Sequence, residues 1–87
     1  MKFKKIRALR GNSIVIKTNE QFETVIKAEL TSGFGVPIGR FQHDSETNSF
    51  VLSADSTARL TGTYKYQITV TKGTIVETIL YGYISVM

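Results

Sequence analysis

Residues 61–86 read TGTYKYQITVTKGTIVETILYGYISV. In the first half, Tyr64, Tyr66, Ile68 and Val70 alternate with Lys65, Gln67, Thr69 and Thr71. A period of two puts apolar side chains on one face of a strand and polar ones on the other. Lys72-Gly73 makes a turn, and the chain returns with Val76, Leu80, Gly82, Ile84 and Val86 on one parity and Ile75, Ile79, Tyr81 and Tyr83 on the other. This returning strand is apolar on both sides for much of its length. Such a strand lies in the middle of a sheet, or its outer face meets another protein. Gly82 within it is expected to mark a kink or bulge.

Working back along the chain, residues 53–60 carry helix-start chemistry. Ser53 or Asp55 can cap a single turn crossing between two sheets. Residues 48–53 form a strand with Phe50 and Leu52 inward, and residues 42–47 read as polar loop. Val36, Ile38 and Phe41 belong to a strand that starts beside Pro37, where a missing ladder donor is tolerated. Gly33-Phe34-Gly35 is a hairpin loop with the ring at its tip or folded over the sheet edge. Residues 21–31 alternate, with Phe22, Thr24, Ile26, Ala28 and Leu30 on the inner face. Residues 13–18 are a short strand after a Gly11-Asn12 turn, and residues 2–9 alternate only loosely. Ile, Val and Thr together supply 27 of the 87 residues, and such side chains pack well on a pleated sheet. The expectation is one all-β domain over residues 1–87, an antiparallel β-sandwich of about seven strands with one short helical cross-over turn.

A chain of 87 residues buries on the order of 60% of its extended surface, a thin core. It has no cysteine, hence neither disulfides nor thiolate metal ligands. No apolar run approaches the roughly 18 residues of a membrane span, and the basic start lacks the apolar core of a secretory signal.

Charge is lopsided. Lys2, Lys4, Lys5, Arg7 and Arg10 stand in the first ten residues without an acid, whereas the remaining 77 hold six basic and seven acidic groups. The whole net charge of +4 therefore resides in this basic N-terminal strand or arm. It reads as a grip on phosphate or an acidic partner, or as lysines that discourage edge pairing. Single-strand binders interleave aromatics with such charges, and within these ten residues only Phe3 qualifies.

The residues of catalysis are scarce. His43 is the one histidine, beside Asp44 and near Glu46, without the spacing of metal ligands. The seven carboxylates form no obvious pair, and Gly33-Phe34-Gly35 lacks the lysine and helix of a phosphate loop. No enzyme, metal or cofactor is expected. Tyr64, just after Leu60 and Gly62, resembles the tyrosine corner of Greek-key sandwiches. Tyr81 and Tyr83, opposite in parity to Leu80 and Ile84, are expected at an intermolecular contact.

The cross-over VLSADSTARLTGTYKY (residues 51–66), followed by the hairpin ending in Leu80-Tyr81-Gly82-Tyr83-Ile84-Ser85-Val86, resembles the immunoglobulin-like β-sandwich domains of tailed-phage virion proteins. These include the N-terminal domain of upper-baseplate proteins and small head or tail accessory proteins. The likeness covers residues 21–87. Lys72-Gly73 departs from the family's aspartate-glycine turn. The resemblance implies a non-catalytic structural protein of a bacteriophage virion, a head decoration or head–tail/baseplate accessory, assembled in the host cytoplasm. Its partners would be capsid, portal or tail proteins and further copies of itself, with no membrane contact. The interface candidates are Lys2, Lys4, Lys5, Arg7, Arg10, Phe34, Tyr81 and Tyr83. The alternative is a small nucleic-acid-binding β protein using the basic N-terminal segment.

Overall fold

The computed structural model describes residues 2–87, so Met1, the first residue of the expected basic arm, lies outside the described residues. Among the described residues there are eight strands: β1 (Lys2–Ala8), β2 (Ile14–Lys17), β3 (Thr24–Thr31), β4 (Pro37–Arg40), β5 (Gln42–Asp44), β6 (Ser49–Leu52), β7 (Gly62–Lys72) and β8 (Ile75–Val86). One helical turn, α1 (Ala54–Thr57), lies between β6 and β7. One sheet has the order β1-β8-β7-β3-β4 and the other β2-β6-β5. Their inner faces meet over Leu30, Phe50, Leu52, Ile68, Val70 and Ile84, none of which reaches solvent. This is an immunoglobulin-like β-sandwich, its core supplied by alternate residues of both layers.

The terminal hairpin is its centre. β7 and β8 pair antiparallel from Gly62↔Val86 to Lys72↔Ile75. β8 lies between β7 and β1, so both of its edges are paired, while its outward Tyr81 and Tyr83 stay partly exposed. The cross-over also forms as expected: the Ser53 side chain accepts from the Ser56 N–H and caps α1, and the turn carries the chain from the three-stranded sheet to the five-stranded one. The fully buried Thr57 hydroxyl donates to Asn12 O (2.8 Å) and accepts from Gly11 N (3.1 Å). The Gly11-Asn12 turn is thereby fastened to the cross-over.

Four local expectations are corrected. The pairing is not wholly antiparallel, because β1 runs parallel to β8 along its whole length, from Lys2↔Leu80 to Ala8↔Val86. The basic segment is thus an edge strand. Residues 42–44, read as loop, form β5 on the edge of the smaller sheet, with all three residues exposed. An exposed edge strand needs no apolar alternation, so its pattern hides it. Ile26 does not face inward: the register slips between Val25 and Lys27, the bulge switches parity, Val25 packs on the core and Ile26 is exposed. The bulge in β8 falls at Ile79, opposite the Ile68/Thr69 step, and not at Gly82. Ile79 and Leu80 are therefore both buried.

Gly82 has another task. At φ +154° its α-carbon lies under the backbone of Lys4, and a Cβ there would collide with the Lys4 carbonyl oxygen. Backbone, unlike a flexible side chain, has no free rotamer by which to yield. Gly82→Ala is expected to displace β1 and cost about 1–3 kcal/mol, the usual penalty of overpacking. Urea unfolding measures the loss, and limited proteolysis within residues 2–8 reports the displaced strand.

Candidate functional site

Tyr64 forms the expected corner. Its hydroxyl donates to Thr61 O (2.7 Å) and accepts from Thr61 N (3.1 Å), which locks the entry of β7 two residues before the buried Tyr66. The Tyr66 ring packs edge-on against Phe41 at 6.1 Å. Its hydroxyl runs beneath Gly82 and donates to Lys4 O at 2.8 Å. Burial disfavours the phenolate and pushes the Tyr66 pKa up to about 12.

With Lys4 held over Gly82, the pleat turns Phe3 and Lys5 to the outer face of the five-stranded sheet. Register then assembles that face in rows. Phe3 stands opposite Tyr81, Tyr81 opposite Gln67, Gln67 opposite Glu29, and Glu29 opposite Arg40. In the next row Lys5 stands opposite Tyr83, Tyr83 opposite Lys65, and Lys65 opposite Thr31. Arg7 follows opposite Ser85, and Lys27 lies in the row below, opposite Thr69. The Phe3 ring meets Tyr81 at 5.3 Å and Tyr83 at 5.9 Å, both edge-to-face. The three rings stay 47%, 37% and 39% exposed. An open trough of about 330 Å³ runs beside them, walled on its far side by Lys27, Glu29, Lys65 and Gln67. Such a volume is at the bottom of the range for small-molecule sites and suits a segment lying across the sheet better than an enclosed ligand.

The sequence-predicted residues therefore divide. Lys5, Arg7, Tyr81 and Tyr83 come together on this face. Lys2 and Lys4 lie on the other parity of β1 and border a groove at the open side of the sandwich with Lys17 and Glu20. Arg10 lies past the strand, its N–H bonded to Met87 O. Phe34 is at the tip of the β3–β4 loop, 95% exposed, on the opposite edge of the sheet from β1. Lys27, Lys65, Gln67 and Phe3 were missed as partners of the tyrosines. The first three had a signal in the alternation of their strands. Phe3 had none, because its place depends on the parallel pairing.

His43 lies on β5, its ring 5.0 Å from those of both Phe22 and Phe50, with Nε2 2.9 Å from Asn48 Oδ1. Among the described residues no group of three or more His, Asp and Glu side chains is arranged to hold a metal. The carboxylates do contain one pair that spacing concealed. Lys72 Nζ lies 2.7 Å from both Glu20 and Glu77. Its hydrogen bond to Glu20, then that to Glu77, raise the Lys72 pKa, and the bond to Lys72 lowers that of Glu77. The trio is partly exposed and ties the β7–β8 hairpin to the segment before β3. No helix among the described residues is long and apolar enough to cross a membrane.

The fold has a counterpart among solved structures. The chain is similar to the crystal structure of CD84, of the SLAM family, with a TM-score of 0.57 and 14% identity over 98% of this chain and 97% of that one. At this identity the likeness concerns the immunoglobulin-like sandwich alone. No protein-family model matches the sequence, and no curated protein matches it.

Tyr66 gives this site a titration signature. Its pKa stands above the ordinary value of 10.0 in the folded chain, so the fold holds this proton more tightly than the unfolded chain does. Its contribution to stability is intact below pH 10 and is lost as pH rises toward 12. Tyr66→Phe is expected to cost about 0.5–1.5 kcal/mol at neutral pH and to remove that part of the alkaline decline. Parallel urea titrations at neutral and alkaline pH compare the two proteins.

Proposed function

We propose that this chain is a non-catalytic assembly module of a tailed-phage virion, a head decoration or head–tail/baseplate accessory. It acts by binding other virion proteins and further copies of itself. The observation that carries the reading is the β3–β4 hairpin. Residues 32–39, SGFGVPIG, contain no charge. Phe34, Val36 and Ile38 are all exposed there, on the free edge of the larger sheet. A charge-free apolar ridge with an aromatic tip has the composition of an interface core, and the described residues leave Phe34 95% exposed. The serine at the base of the loop keeps it in shape: the Ser32 hydroxyl accepts from Phe34 N and Val36 N, and Gly35 takes φ +79°. The tip is thus a formed knob. The phage context rests on the likeness of the cross-over and the terminal hairpin to virion domains.

Phe34→Ser is expected to leave the circular dichroism spectrum unchanged and stability within about 0.5 kcal/mol, as for other exposed positions. Loss of an aromatic anchor weakens assembly by about 2 kcal/mol or more, roughly 30-fold. Mass spectrometry of purified particles then finds the native chain present and the variant depleted, and light scattering finds its self-association shifted to higher concentration. Absence of the native chain from particles, or full incorporation of the variant, overturns the reading.

A further inference from the structure

The outer face of β1, β8 and β7 differs in chemistry from the apolar hairpin and calls for a different occupant. Lys5, Arg7, Lys27, Lys65 and Arg40 stand on the outer rows of the sheet against one acid, Glu29. Among the described residues the salt bridges all belong to Lys72, so none of these five cations forms a salt bridge there. Phe3, Tyr81 and Tyr83 lie among them, and Tyr83 has a lysine directly opposite on each side, Lys5 and Lys65. A second copy of this chain would bring like charges face to face. A protein partner would ordinarily meet an aromatic core from which lysine is depleted. Rings alternating with cations, on a surface three strand gaps or roughly 14 Å wide from β1 to β3, match single-stranded polynucleotide. Unpaired bases stack on the rings while Lys and Arg take the phosphates.

We propose that this face binds single-stranded nucleic acid, Tyr83 and Tyr81 stacking bases and Lys5, Lys65 and Lys27 neutralising phosphates. The site is separate from the Phe34 knob and does not depend on the assembly role. It also differs from a basic arm acting alone, since four of its five groups, Lys27, Lys65, Tyr81 and Tyr83, come from β3, β7 and β8. Duplex fits poorly, because its bases are already stacked and paired and leave the rings without partners.

The test is fluorescence anisotropy of a fluorescein-labelled oligothymidylate of about twelve nucleotides, titrated with the full chain at about 50 and 200 mM salt. With about three phosphates neutralised, by Lys5, Lys65 and Lys27, at a single-strand slope of roughly −0.7 each, affinity falls roughly 20-fold over that range. Tyr83→Ser weakens binding about ten-fold or more without changing the salt slope, and Tyr83→Phe binds like the parent. Lys65→Gln reduces the slope by about 0.7. Phe34→Ser binds like the parent, which separates this site from the assembly contact. Circular dichroism and Tm verify each variant's fold. Should Tyr83→Ser not fold, Tyr81→Ser and the Lys65→Gln slope decide, an unchanged slope and parent-like binding by Tyr81→Ser overturning the proposal. The proposal is overturned by no binding at the lower salt, by Tyr83→Ser and Tyr81→Ser variants that bind like the parent, or by duplex of equal length bound as tightly. Displacement of the oligonucleotide by polyglutamate at equal charge overturns it too, and assigns the face to an acidic protein.

Discussion

The outer surface of this protein depends on one close approach between backbones, that of Lys4 over Gly82. β8 carries a residue without a Cβ where Lys4 of the parallel strand β1 pairs with it, and the Tyr66 hydroxyl comes up from the core to bond the Lys4 carbonyl. The three positions are neighbours in the sheet, Lys4 opposite Gly82 and Gly82 opposite Tyr66. A buried ring thus covers the inner side of the glycine while a backbone covers its edge, and the gap left by the missing side chain is filled. Because strand side chains alternate, fixing Lys4 inward sends Phe3 and Lys5 outward. The aromatic and basic face follows from a glycine that itself lines it only as backbone.

Two surfaces of opposite character result, at opposite edges of one sheet. Toward β4 the chain carries no charge for eight residues and presents Phe34. Toward β1 it gathers cations around three rings. A small sandwich has only its sheet faces, edges and loops to offer, and this chain divides them by chemistry. The division would also limit self-association. The cationic face would repel its own copy and the charge-free hairpin would not, so in the proposed assembly role contact between copies would fall at the β4 edge. Charge placement works here as it does in other interfaces, by excluding wrong pairings more than by strengthening right ones.

Much of the fold was legible because the elements that build it obey simple periods. The alternation of Tyr64, Tyr66, Ile68 and Val70, the Lys72-Gly73 turn and the Ser53 cap each correspond to a feature of the structure. Illegible were the steps at which periodicity breaks. Ile26 and Ile79 are single-residue bulges, and a bulge inverts the facing of what precedes it without any change in composition. β5 lacks an apolar side because it lies exposed on an edge. The aromatic and basic face was half legible. Tyr81, Tyr83 and the polar parity of β7 could be read directly, yet their union with Phe3 needed the pairing of residue 3 with residue 81, a long-range register that no local pattern encodes. Aromatics counted only within the first ten residues therefore came to one, where the folded surface has three.

The position of Tyr66 explains how so thin a core is held without a covalent staple. In antibody-type sandwiches a tyrosine corner stands two residues before a cysteine whose disulfide joins the two sheets. Here the corner is Tyr64, and the residue two further on is Tyr66 in a chain with no cysteine. A tyrosine there fills the inter-sheet space with a ring packed on Phe41 and spends its polar end on the first strand instead of the opposite sheet. Burial of the ring replaces the cross-link as the tie between layers. The hydroxyl adds a tie that a disulfide at this place would not supply, since it fastens the edge strand bearing Phe3, Lys5 and Arg7. The bond that completes the core is thus the same bond that positions the outer face, and a loss of core packing at Tyr66 is felt first at β1.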